Sequence, residues 1–217
     1  MTGLLPLFPL HSVLFPGMPL RLRIFEPRYR QMLETCLAGD RSFGVVLIKH
    51  GQEAYGPPPV PYGTGVRASI QRIEQLEDGQ IGLLAVGDER FRILSVVERQ
   101  PYLLANVAYS QPLRPADGLG QCTARVKARL QRYLALLREV GTEADRPVSI
   151  PDDPLALAYR ACGLMQLPLA EKQALLEMDA LRDLLLVVQK LLARELALEP
   201  AIQAGAPAGN VGGFSLN

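Results

Sequence analysis

Tryptophan is absent from this 217-residue chain, histidine occurs twice and cysteine three times. Cys36, Cys122 and Cys162 are odd in number, far apart and without CxxC spacing. That excludes a disulfide scaffold and a zinc knuckle, and leaves buried thiols in a reducing cytoplasm as the expectation. His11 stands in a proline-rich entry and His50 opens a loop, with no HExxH pattern and no dense carboxylate cluster, so no metal is expected. A GxxxxGK[ST] phosphate loop and a GxSxG nucleophile elbow are also missing. An excess of one charge sign is lacking: 23 basic side chains face 22 acidic ones, for a net charge of +1. Cut at residue 112, the chain carries 11 basic against 10 acidic residues before the cut and 12 against 12 after it. Such balance supplies no field for gathering phosphate backbones. The local exception, Arg125, Lys127, Arg129 and Arg132 in RVKARLQR, projects in several directions on a helix and lacks interleaved aromatics, which describes a solvated face.

Long uninterrupted apolar runs are the last absence. Leu4 to Met32 (LLPLFPLHSVLFPGMPLRLRIFEPRYRQM) is hydrophobic, but Pro6, Pro9, Pro16 and Pro19 cannot sit inside a helix. This excludes a membrane span and a signal sequence, and no other targeting or lipidation motif is visible. The segment is expected to be a buried, extended entry into a β-domain. Leu20, Leu22 and Ile24 alternate with Arg21 and Arg23 as a half-buried strand with its arginines outward. Glu26-Pro27 then opens a helix whose apolar face carries Tyr29, Leu33, Cys36 and Leu37, with Gly39 placed to end it.

Phe43 to Lys49 is a nearly continuous apolar strand, and Val66, Ala68 and Ile70 alternate with polar neighbours before the phase changes at Ile73, as at a bulge or strand end. Asp78-Gly79 marks a hairpin turn, Gly87-Asp88-Glu89 reads as a second reversal before a strand from Arg90 to Val97, and Tyr102 to Tyr109 forms the last strand. Short strands at this spacing argue for a closed or nearly closed barrel.

The ordered pieces PLFPLHSVLFPGMPLRLRIFEPRYRQM, FGVVLI, GTGVRASI, DGQIGLLAVGDERFRI and PYLLANV resemble the LON substrate-binding domain, found at the N-terminus of ATP-dependent Lon proteases and as a stand-alone bacterial protein. The resemblance covers residues 4 to 112 motif by motif and continues more weakly in LPLAEKQALLEMDALRDLL at 167 to 185. In Lon-type chains an Arg-Leu pair follows the EKQxLLE segment; here Asp183-Leu184 holds the nearest spacing, with Arg182 one residue early. The resemblance implies a PUA-like β-pseudobarrel and binding of unfolded or degron-like segments. Nothing in the chain corresponds to the Lon ATPase or to its Ser-Lys peptidase, so a non-enzymatic module without cofactors is expected.

After residue 112 the composition shifts. Cys122, Val126, Leu130, Tyr133, Leu134 and Leu137 form one helical stripe, Asp153-Pro154 caps a helix to Met165, Leu169 to Glu177 is a short helix, and a long apolar-faced helix follows Asp179 to about Leu198. The expected class is α+β: a PUA-like β-domain with one early helix over 1–112, a helical subdomain over 113–199 arranged as a four-helix bundle, and a disordered Ala/Gly-rich tail over 200–217.

Two surfaces are candidates for recognition. The long connection Lys49 to Gly65 displays Tyr55, Pro58, Val60 and Tyr62 as a semi-rigid apolar edge for an extended peptide. Phe15 and Met18, in the run with Val13 and Leu14, form the second, although a core reading of the same run is preferred. Glu26 and Arg28 carry a peptide-recognition reading beside a structural one, in which Glu26 is a helix-start anion, Pro27 a preset first turn and Tyr29 a core-facing ring, and the structural reading is preferred. Phe91 is expected in the core, with Arg90 holding a turn. The partners expected are unfolded or extended protein segments, with a protease or chaperone as a further partner, no membrane, nucleic acid disfavoured and oligomeric state open. An RNA-binding PUA-like module and a small-molecule site between barrel and bundle are the alternatives.

Overall fold

The computed structural model describes residues 2–53, 59–111, 113, 118–139 and 149–197. These divide into a sheet unit, which takes the chain up to residue 111 together with 168–177, and a helical unit formed by the rest.

The sheet unit contains β1 (Thr2–Leu10), β2 (Pro19–Ile24), α1 (Pro27–Ala38), β3 (Ser42–His50), β4 (Val60–Gln75), β5 (Ile81–Glu98), β6 (Leu103–Tyr109) and α4 (Leu169–Leu176). Strand order is β2-β5-β4-β3-β1-β6, and an additional β5–β6 pairing closes the sheet on itself. The α+β class and the nearly closed barrel are therefore as expected. The proline-broken entry is β1, parallel to β3 and antiparallel to β6. Buried between strands, it is apolar along most of its length, with Leu5, Leu7, Phe8 and Leu10 all in the core.

In β2, Leu20 and Ile24 are buried and Arg21 and Arg23 exposed, as the alternation requires. On α1, Tyr29, Leu33 and Cys36 are buried while Leu37 lies at the exposed rim of the stripe. Phe8 stacks on Tyr29 with centroids 4.1 Å apart and so ties the helix to β1. The Asp78-Gly79 hairpin forms as read: Gly79 has φ 75°, and Leu76 N–H donates to the Gln80 carbonyl at 2.9 Å. The phase change near Ile73 is a register shift between Ile70 and Arg72.

The second reversal does not occur. β5 runs through Gly87-Asp88-Glu89 as one strand of 18 residues. Its first half pairs with β2 and its second with β6, while β4 follows it on the other side. Glycine at 87 serves a close approach instead of a turn: a Cβ there would lie 2.7 Å from the Phe15 carbonyl oxygen. Gly17 N–H donates to the Gly87 carbonyl at 2.8 Å and Gly87 N–H to the Met18 carbonyl at 3.0 Å, so the turn before β2 is stitched to mid-β5.

The barrel interior is packed through two further glycines. A Cβ on Gly44 would meet Leu7 Cδ2 at 2.6 Å, Phe91 Cζ at 2.7 Å and Leu5 Cδ2 at 2.9 Å, and one on Gly65 would meet the Val45 carbonyl oxygen at 2.4 Å. The Phe91 ring occupies the space these missing side chains leave, beside Leu5, Leu7, Val46, Leu103, Ala105 and Val107.

The helical unit comprises α2 (Gly120–Glu139), α3 (Pro154–Leu164) and α5 (Leu181–Ala197). Val126, Leu130, Tyr133 and Leu134 on α2 and Leu181, Leu184, Leu185, Val188 and Leu192 on α5 are buried, the stripes that periodicity marks. Asp153 caps α3, its carboxylate accepting from Ala156 N–H at 2.8 Å with Pro154 at the first position. The four-helix grouping is corrected to three, because α4 belongs to the sheet unit. Gln173 there donates to the Thr64 carbonyl at 3.0 Å, and the buried Arg90 guanidinium donates to the Leu176 carbonyl at 2.7 Å, at the helix C-terminus. Arg90 thus holds a distant helix end, where a cation is favoured.

Candidate recognition surface

Among the described residues, no three His, Cys, Asp or Glu side chains cluster as a metal site. His11 and His50 are both exposed. The Cys36 thiol is pushed up to about 12 by burial, assisted by Asp40, and the Tyr29 phenol is likewise pushed up to about 12 by burial. Both are held neutral, as packing groups are. In the helical unit, a groove of about 450 Å³ is lined by Ala128, Arg129, Arg132, Ala193, Leu196 and Ala197. Arg129 is already engaged there with the Gln189 carbonyl at 2.6 Å, so the groove shows no set of polar groups converging on a small ligand.

Of the residues the sequence singles out, Tyr55 and Pro58 lie outside the described residues. Val60 and Tyr62 open β4; Val60 is exposed, and the Lys49 ammonium stands 6.0 Å from the Tyr62 ring centroid. The candidate Phe15 is withdrawn from the recognition surface, and the core reading preferred for its run holds. Its ring is fully buried, because the Gly17–Gly87 hydrogen bond draws the turn onto β5. Met18 stays half exposed beside that turn. The two patches are not brought together: Met18 faces Gly87, which pairs with Ala68, six positions along β4 from Tyr62, or about 20 Å at strand spacing.

The Glu26-Pro27-Arg28-Tyr29 motif is structural in its contacts. Arg28 pairs with Glu26 at 2.9 Å, donates to the Glu53 carbonyl at 3.0 Å and lies 4.6 Å from the Tyr29 centroid, while the Glu53 carboxylate accepts from His11 N–H at 3.0 Å. The group fixes the start of α1 to the chain beyond β3.

A surface that sequence reasoning missed lies on the outward face of β1, β6 and β5. Two register shifts, between Ile93 and Ser95 and between Val96 and Glu98, each give β5 one residue more than β6. A bulge of this kind turns two successive side chains to one face. Leu94 and Val97 consequently point outward at 59% and 51% exposure, and Leu4 on β1 is 56% exposed. Leu4 pairs with Asn106, which pairs with Ser95, and Pro6 pairs with Leu104, which pairs with Glu98. The three exposed side chains therefore border Asn106 and Leu104 on β6, with Asn106 donating to Ser95 Oγ at 3.2 Å between Leu4 and Leu94. Strict period-two reading of ILSVVE hides this, since residues three apart on a regular strand face opposite sides.

A family model described as the ATP-dependent protease La (LON) substrate-binding domain matches residues 4–194. The chain belongs to the LON substrate-binding domain family. It is 28% identical over 187 residues to Lon protease 1 of Hydrogenovibrio crunogenus, covering 86% of this chain and 23% of that protein. It is 27% identical over 202 residues to Lon protease 2 of Desulfotalea psychrophila, covering 91% and 26%. The chain thus spans about a quarter of the length of the curated relatives it matches. Among solved structures, the Lon N-terminal domain protein from Xanthomonas campestris aligns with a TM-score of 0.61 at 29% identity, covering 90% of this chain and 98% of that one. The N-terminal domain of the Mycobacterium avium complex Lon protease shares the fold, with a TM-score of 0.59 at 19% identity and coverage of 88% and 98%. No helix among the described residues is long and apolar enough to cross a membrane.

Proposed function

We propose that this LON domain is a non-catalytic recognition module that binds extended or unfolded protein segments, acting in the cytoplasm and delivering or holding clients for a protease or chaperone. The observation that carries the reading is the outward patch of Leu4, Leu94 and Val97 around Asn106 and Leu104: three large apolar side chains more than half exposed on β1 and β5, the two strands that flank β6. Apolar side chains clustered on a rigid sheet suit segments that expose apolar residues only when unfolded. Val60 and Tyr62 at the start of β4 offer a second contact for the same class of ligand. Affinity for one short segment is about micromolar, roughly 8 kcal/mol.

Fluorescence anisotropy with a labelled, permanently unfolded polypeptide tests this. Saturable binding that weakens on Leu94→Ser with Val97→Ser, and less so on Tyr62→Ala, supports the reading. Absence of saturable binding to the wild-type protein, or equal binding to a native folded protein of the same charge, overturns it.

A further inference from the structure

β2 is the one strand whose second edge pairs with nothing among the described residues. An open edge presents a row of unsatisfied N–H and C=O groups and is a template for another strand. Its outward side chains are Arg21 and Arg23, both exposed and in no ion pair or hydrogen bond with a described residue. Across the row, Arg21 pairs with Leu84, which pairs with Arg72, while Arg23 pairs with Gly82, which pairs with Glu74. Glu74, the acid on this face, is engaged by Arg72 at 3.3 Å and lies over Gly82, where a Cβ would sit 2.8 Å from its Cγ. The edge next to β2 is left cationic.

From this we infer that β2 accepts an acidic extended segment by strand addition, in the pattern acid–apolar–acid. The inference deepens the recognition reading and rests on it in taking a protein segment as occupant. Residues two apart on the added strand stand about 7 Å apart on one face, the spacing of Arg21 and Arg23, so carboxylates at those positions meet both guanidiniums. The residue between them turns to the other face. There β2 offers Leu22, half-buried and paired through Leu83 to Ile73, so an apolar side chain fits. A second copy of this chain is a poor occupant, since β2 against β2 sets arginine opposite arginine. Main-chain pairing supplies the affinity and the arginines supply the sign.

The test uses the full chain and short labelled peptides in anisotropy titrations: alternating Glu-Val, alternating Lys-Val, alternating Gln-Val, and Glu-Val carrying N-methyl groups on alternate amides. The Glu-Val peptide is expected to bind about tenfold tighter than Gln-Val, to weaken with salt, and to lose binding on N-methylation. Arg21→Glu with Arg23→Glu is expected to exchange the preference to Lys-Val, a gain that an unfolded variant cannot give. Undiminished Glu-Val binding by that variant, or by the N-methylated peptide, overturns the inference, as does salt-sensitive capture of RNA in place of any peptide. Equal binding of the permanently unfolded polypeptide by wild type and variant, with no preference among the peptides, overturns the edge-strand inference and leaves the recognition reading standing; loss of that polypeptide's binding to wild type overturns the recognition reading itself.

Discussion

Gly44→Ala and Gly65→Ala are the same chemical change one strand apart in the barrel, yet the geometry separates them. At Gly44 the added methyl meets the side-chain ends of Leu7, Phe91 and Leu5, at 2.6, 2.7 and 2.9 Å. Side-chain ends move, at the expense of rotamer strain, so the cost is about 1–3 kcal/mol. Shortening one neighbour relieves it: Phe91→Leu withdraws the Cζ atom and alone costs about 1–2 kcal/mol as a buried large-to-small change. The double variant is expected to be more stable than the additive value by about 1 kcal/mol. At Gly65 the methyl meets the Val45 carbonyl oxygen at 2.4 Å, backbone held by the β3–β4 ladder, as well as Val46 Cγ1 at 2.6 Å and Phe91 Cζ at 2.8 Å. No rotamer clears that oxygen, so Gly65→Ala is expected to cost about 3 kcal/mol or more, and Phe91→Leu is not expected to rescue it. Urea midpoints at constant slope, followed by circular dichroism, measure the cycle. Additivity of Gly44→Ala with Phe91→Leu to within about 0.5 kcal/mol, or equal rescue at both glycines, would refute the packing argument.

Replacing Arg90 by Met removes a charged, buried donor from the Leu176 carbonyl and is expected to cost about 2–3 kcal/mol, with hydrogen exchange in α4 rising before that of the strands. Cys36 should resist a thiol reagent at pH 8 in the folded protein, while half-buried Cys122 reacts first; equal rates would contradict the raised Cys36 thiol. Because Cys36 and Tyr29 keep their protons to about 12 when folded, against 9.0 and 10.0 as ordinary values, unfolding releases protons at high pH. Their contribution is full below pH 9 and is lost as pH rises toward 12, so the urea midpoint should fall over that window. Asp153→Ala is expected to cost about 1 kcal/mol through loss of the α3 cap, read as a lower thermal midpoint.

What was legible in the sequence is what neighbouring residues decide among themselves. Alternation in PLRLRI, the Asp78-Gly79 turn and the Asp153-Pro154 start each depend on a few adjacent positions. The misreadings share a different cause. Gly87 has the composition of a turn, but its need for glycine comes from the Phe15 carbonyl, 72 positions back in the chain. Leu94 and Val97 become a surface only through the count of residues on β6 opposite them. No local pattern assigns α4 to the sheet, because its partners Thr64 and Arg90 lie 109 and 86 residues away.

The placement of α4 also bears on how the chain comes off the ribosome. Arg90 emerges 86 residues before the carbonyl it holds, an interval of roughly 4–17 s at ordinary synthesis rates. Helices α2 and α3 are made within that interval, so the later part of the chain begins to fold while the earlier part still waits for its last piece. A fragment cut at residue 112 would reproduce the waiting state permanently. A minimal version of the sheet unit therefore needs residues 168–177 supplied by a linker or added in trans, and regaining native exchange protection on adding that peptide would mark the moment the barrel is finished.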